Sequence, residues 1–140
     1  WPVVGAYLLQ VQDFNLIPVF AALPITGLVT AILYINQFPD YAADKHVGKA
    51  NLVVRLGQVK AQIVYDALLV FSFLSLGLGI YFKILPQFNL LSFLLMPLAG
   101  FAMWSLARNY ATARALIPAI KSTIMLHTVM SLVLILSFVV

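Results

Sequence analysis

Along this chain, apolar and polar positions do not alternate at a helical or a strand period; they are segregated into long blocks. Residues 14–35 and 88–107 are blocks without a single charge. Residues 61–82 are interrupted only by Asp66, and 122–140 carry His127 as their only titratable group. A helix needs about 20 mostly apolar residues to cross a bilayer core. Barrel strands would be shorter and would alternate. Backbone in lipid has no water to bond to, so runs of this kind are helices. A shorter apolar run at 1–9 lacks the basic start and small-residue cleavage site of a signal peptide, and reads as the end of a further membrane helix. The predicted fold is all-α: a polytopic membrane bundle with four complete transmembrane helices plus the end of a fifth.

Composition agrees. Of 140 residues, 64% are hydrophobic and 9% are charged, against about 25% charged in soluble domains. That is too little polar surface to clothe a globule. Cysteine is absent, which excludes disulfides, thiolate metal sites and a catalytic thiol. Placement of charge adds topology. The connections 36–60 and 108–121 are long, whereas 10–13 and 83–87 are short, and alternation puts the two long ones on one side. Of the 8 Lys and Arg residues, all except Lys83 lie on that side. The positive-inside rule makes loops 36–60 and 108–121 cytoplasmic, in an integral protein of the cell (inner) membrane. The basic excess then faces the lipid bilayer and implies no nucleic acid. Nothing in the chain matches a haem or dinucleotide motif.

The chemistry concentrates in 36–57, which reads NQFPDYAADKHVGKANLVVRLG. Asn36, Asp40 and Asp44 recur every four residues, which places them on one helical face. Pro39 breaks that helix, because its ring clashes with the carbonyl four residues earlier. The reading is a helix ending near Asn36 and restarting at Pro39, with Asp40 and Asp44 one turn apart. Two like charges at the end of a span require compensation. Lys45 and Lys49 can supply it, and so can a divalent cation. An oxygen-only set suits Mg²⁺, which keeps waters and is completed by substrate phosphates. Lys49 and Arg55 are then placed for the same phosphates. An ordinary solvated loop has similar composition, and the aspartate pair alone occurs often in helices; the longer string is more specific.

That string resembles the second aspartate-rich motif of the UbiA superfamily of intramembrane prenyltransferases, closest to the 1,4-dihydroxy-2-naphthoate prenyltransferase branch. The segment ALIPAIKST at 115–123, followed by His127, resembles the C-terminal region of the same branch. The resemblance implies an all-helical bundle around a cavity, Mg²⁺ held by aspartate motifs at its mouth, and polyprenyl transfer from a polyprenyl diphosphate to an aromatic acceptor in menaquinone synthesis. It implies Asp40 and Asp44 as catalytic metal ligands, with Asn36, Lys45, Lys49 and Arg55 around the diphosphate. Asn51 departs from the threonine usual after Gly-Lys and carries no assigned role. The family's first motif, NDxxDxxxD, is not in these residues. The expectation is therefore that 1–140 form the C-terminal part of a single prenyltransferase domain, inactive alone.

Other residues carry weaker signals. Asp66 is an acid inside a span, a functional candidate by default, although pairing with Lys60 or Arg108 would explain it. His127 reads as packing. Tyr34 and Tyr41 flank the motif and offer ring faces to a cation, but tyrosine is common at membrane interfaces. Arg108, Asn109 and Arg114 read as interfacial anchors. The competing function is a non-catalytic UbiA-like membrane subunit that binds a quinone or pigment beside other membrane subunits. A transporter is disfavoured, because its charges would sit at mid-membrane.

Overall fold

A computed structural model of the protein describes residues 2–139. Each predicted block is helical. α1 (Pro2–Val11) and α2 (Ile17–Ile35) are joined by a turn in which Gln12 is left-handed, with φ 56°. The polar segment contains two short helices, α3 (Tyr41–His46) and α4 (Leu52–Leu56), before α5 (Gln58–Tyr81) crosses back. A 3₁₀ run, Gln87–Leu95, leads into α6 (Met96–Asn109), and a 3₁₀ turn, Ala113–Leu116, leads into α7 (Ile117–Leu136). Four stretches are long and apolar enough to cross a membrane: Ile17–Ile35, Gln58–Tyr81, Gln87–Asn109 and Ala113–Leu136. The all-α, four-span architecture stands as expected, with α1 as the helix before the spans. Trp1 and Val140, at the outer ends of the first and last blocks, lie outside the described residues.

Two boundaries differ from the sequence reading. The connection expected at 108–121 is much shorter. Arg108 belongs to α6, Arg114 to the 3₁₀ turn and Lys121 to α7. Counting hydropathy stops at such bases, yet long cationic side chains reach out of a helix to the interface. Pro118 does not break the helix, because it lies in the first turn of α7, where its fixed φ suits helical backbone. Pro97 does the same for α6. An α-helix running through it would strand the Phe93 carbonyl, and the chain approaches as a 3₁₀ run instead.

Packing is set by small residues and a few polar bonds. α2 and α5 are antiparallel neighbours. At Gly27 a Cβ would collide with the Ser72 hydroxyl and come within 3.2 Å of the Leu68 carbonyl oxygen; at Gly79 it would press on Leu85 and Phe20. Small residues of this kind let membrane helices approach closely. The Gln58 amide donates to the Tyr110 carbonyl at 2.7 Å, which sets the antiparallel register of α5 against α6. Asn89 donates to Ser137 at 2.8 Å at the opposite end, and the Tyr65 and Thr123 hydroxyls join α5 to α7. Leu28, Ala31, Ile35, Leu69, Leu106 and Leu126 are fully buried between these helices. The polar segment, the start of α5, the end of α6 and the start of α7 therefore share one end of the bundle, the basic end.

Candidate functional site

The site is built on the chain reversal after α2. Asn36 caps α2, and the following turn is pinned by Phe38, which is 2% exposed and packs edge-on against Tyr34 at 5.9 Å. The second helix starts at Tyr41 rather than at Pro39, with Asp40 as its cap. Pro39 lies within the turn. The expected spacing survives this shift, because the Asp44 amide donates to the Asp40 carbonyl at 2.8 Å. Asp40 and Asp44 are thus one turn apart.

Their environments differ. Asp40 is exposed and its side chain makes no capping bond. Asp44 is buried at 9% exposure, and both of its oxygens are engaged. Lys49 Nζ donates to Oδ1 at 3.1 Å and Asn51 Nδ2 donates to Oδ2 at 2.6 Å. The Lys49 amide also donates to the Asp44 carbonyl at 2.8 Å. Asn51 acts twice, since its Oδ1 accepts from the Val54 amide at 2.8 Å and caps α4. One side chain thereby couples the Asp44 carboxylate to the short helix that carries Arg55. Gly48 and Gly57 have φ 73° and 76°, backbone that only glycine adopts without strain. They bend the chain before Lys49 and between α4 and α5.

Lys49 is the cation that compensates Asp44. Lys45 is not; its ammonium lies 5.6 Å from the centre of the Tyr41 ring. Asn36, Arg55 and Lys45 are exposed around the same segment and make no ion pair. Asn51 was not foreseen. Its signal was present, because an asparagine directly before an apolar run is a helix-cap pattern. Replacing Asn51 by alanine is expected to speed hydrogen exchange at the Val54 amide about fivefold, the equivalent of a cap worth ~1 kcal/mol. Asn51→Ser should leave that amide largely protected, since serine caps about as well and brings no charge beside Asp44.

Residues weighed elsewhere act locally. The Arg108 guanidinium lies 5.4 Å from the Trp104 ring, and the Asn109 side chain donates to the Ser105 carbonyl in its own helix. Asp66 pairs with neither Lys60 nor Arg108. Among the described residues the one ion pair is Lys49–Asp44, and Asp66 Oδ1 is buried without a partner. His127 is half-buried on α7 and makes no hydrogen bond among the described residues.

No three His, Cys, Asp or Glu side chains cluster as a metal site among the described residues. Asp40 and Asp44 offer oxygen donors only, and Asp44 retains lone pairs beyond its two bonds. Such a half-set fits a hard cation that keeps water and phosphate in its shell, and does not fit a zinc-type site.

A bundle of long apolar helices with a carboxylate pair and clustered bases at one end defines a polytopic integral membrane protein. The chain belongs to the UbiA prenyltransferase family, which it matches over residues 1–126. It is 38% identical over 99 residues to the 1,4-dihydroxy-2-naphthoate octaprenyltransferase of Escherichia coli (strain K12), covering 69% of this chain and 31% of that protein. It is 31% identical over 72 residues to UbiA prenyltransferase domain-containing protein 1 of Homo sapiens, covering 51% of this chain and 21% of that protein. The chain thus spans less than a third of the length of these curated relatives. No solved structure matches it.

Proposed function

We propose that residues 1–140 are the C-terminal part of one UbiA-like transmembrane domain whose whole protein is a Mg²⁺-dependent prenyltransferase. The donor is a polyprenyl diphosphate. The acceptor is an aromatic ring, 1,4-dihydroxy-2-naphthoate on the menaquinone route, by analogy with the Escherichia coli relative. The observation that carries this reading is the asymmetric aspartate pair: Asp44 buried and held by Lys49 and Asn51, and Asp40 open one turn earlier. The basic end that carries it is the cytoplasmic mouth under the positive-inside rule.

Asp40 and Asp44 would hold Mg²⁺, which supplies positive charge against the diphosphate as it leaves. The chain's own groups do the remaining work. Lys49 has a side chain 62% exposed, so its ammonium can move from Asp44 to a phosphate oxygen while Asp44 stays held by Asn51. Arg55, exposed in the last turn of α4, offers a bidentate grip on the same group. The allylic C–O bond breaks with its electron pair going to the diphosphate. An acceptor ring carbon then bonds to the allylic carbon and loses its proton. The apolar helices exclude the water that would otherwise trap the carbocation.

The test uses the full-length protein in nanodiscs with labelled polyprenyl diphosphate and the naphthoate. Product should form with Mg²⁺, fall at least about a hundredfold on chelation, and return on adding Mg²⁺ back. Turnover that survives chelation overturns the metal. Turnover on a benzoate but not on the naphthoate overturns the acceptor.

A further inference from the structure

Within the membrane, α5 carries a second polar feature that the aspartate motif does not use. Gln58, Gln62 and Asp66 follow one another at four-residue spacing along one stripe. Gln58 is satisfied by Tyr110. Gln62 Nε2 and Asp66 Oδ1 are both buried and neither has a partner. An unpaired carboxylate oxygen in a span is costly, and so is an amide donor without an acceptor. One turn beyond Asp66 the stripe becomes the wall of an apolar groove between α5 and α6. Its volume is about 420 Å³, and it is lined by Val70, Phe73, Gly77, Phe93, Met96 and Met103 among others. The Gln58–Tyr110 bond places Met103, at the groove's near end, level with Asp66, since the two helices run antiparallel.

The two orphan atoms are complementary to one chemical group. Asp66 needs a donor and Gln62 needs an acceptor, and a hydroxyl is both. The groove beyond them suits flat or chain-like apolar bulk, and its size is within the range of small-molecule sites. We propose that Gln62 and Asp66 bind a ring hydroxyl of the aromatic acceptor, with the ring in the α5–α6 groove. This rests on the prenyltransferase reading and extends it to the acceptor side. Aspartate and glutamine bracket the hydroxyl, and the apolar walls select a fused or alkylated ring over a small polar one.

The experiment measures binding of labelled 1,4-dihydroxy-2-naphthoate to the full-length protein in nanodiscs without prenyl diphosphate, alongside thermal unfolding and steady-state kinetics. Asp66→Leu should weaken acceptor binding about tenfold or more, the loss expected for a hydrogen bond to a charged group. It should leave KM for the prenyl diphosphate within about twofold and should not lower the unfolding temperature, because it removes a buried unpaired charge. Gly100→Leu meets open space and fills the groove from α6, so it should weaken the same binding with the fold intact. Unchanged acceptor affinity in both variants overturns the proposal and indicates a bridging water at Asp66. A lower unfolding temperature in Asp66→Leu with unchanged affinity assigns the residue to structure, and overturns it equally. Failure of the prenyltransferase reading is separate, and shows as no prenylated product from the parent protein supplied with Mg²⁺, polyprenyl diphosphate and the naphthoate.

Discussion

Prenyl transfer by the full-length protein is expected to fall by about a hundred- to a thousandfold when Asp44 is replaced by asparagine, the range seen when one electrostatic contact to a developing charge is lost. Asparagine keeps the shape and still accepts from Asn51, but it gives up the charge that Lys49 now balances. Asp40→Asn should cost as much activity with less ambiguity. The Asp40 carboxylate is exposed and makes no bond among the described residues, so its loss leaves packing untouched. Asp40→Asn should unfold within a few degrees of the parent, since an exposed surface substitution changes stability little, whereas Asp44→Asn weakens the partly buried bond to Lys49 and should unfold at a lower temperature. Steady-state rates with saturating donor and acceptor, read beside the unfolding curves, decide the matter. Near-normal turnover in either variant removes that residue from the reaction.

The largest structural effect is expected at Gly27. Even alanine would put its Cβ into the Ser72 hydroxyl and against the Leu68 carbonyl, which is backbone and cannot rotate away. α2 and α5 would have to separate, and overpacking of this kind costs about 1–3 kcal/mol. Gly27→Leu should exceed that range and leave little folded protein in detergent. Gly27→Ala combined with Ser72→Gly should recover part of the loss, because the two share one contact. Purely additive unfolding energies for the pair would show that this crossing point does not hold the helices together.

The block pattern of hydropathy made the four spans legible, because lipid leaves a charge-free run no alternative to helix. The ends of the spans were less legible at the basic end. Arg114 and Lys121 read as loop, although their stems are compatible with helix. In the site, the Asp40 and Asp44 spacing was readable, because a four-residue step survives a two-residue shift in helix start. Asn51 was harder, since its two bonds depend on how the loop after α3 folds back. The solitude of Asp66 was not readable at all. In sequence Lys60 and Arg108 look like natural partners; among the described residues neither pairs with Asp66, and Arg108 lies over Trp104 in its own helix instead.

The Lys49–Asp44 pair is lopsided in a way that bears on turnover. The acid is almost enclosed and the base is mostly in water, at 12% and 62% side-chain exposure. Asn51 holds the other oxygen of the acid through an uncharged amide. The Asp44 charge is therefore balanced by a counter-ion on a long arm. Whatever positive group next reaches Asp44 has to exchange one loosely held charge and need not reorganise any backbone. On the proposed prenyltransferase reading, the site would pass from empty to loaded without a bare Asp44, by the swing of a single side chain.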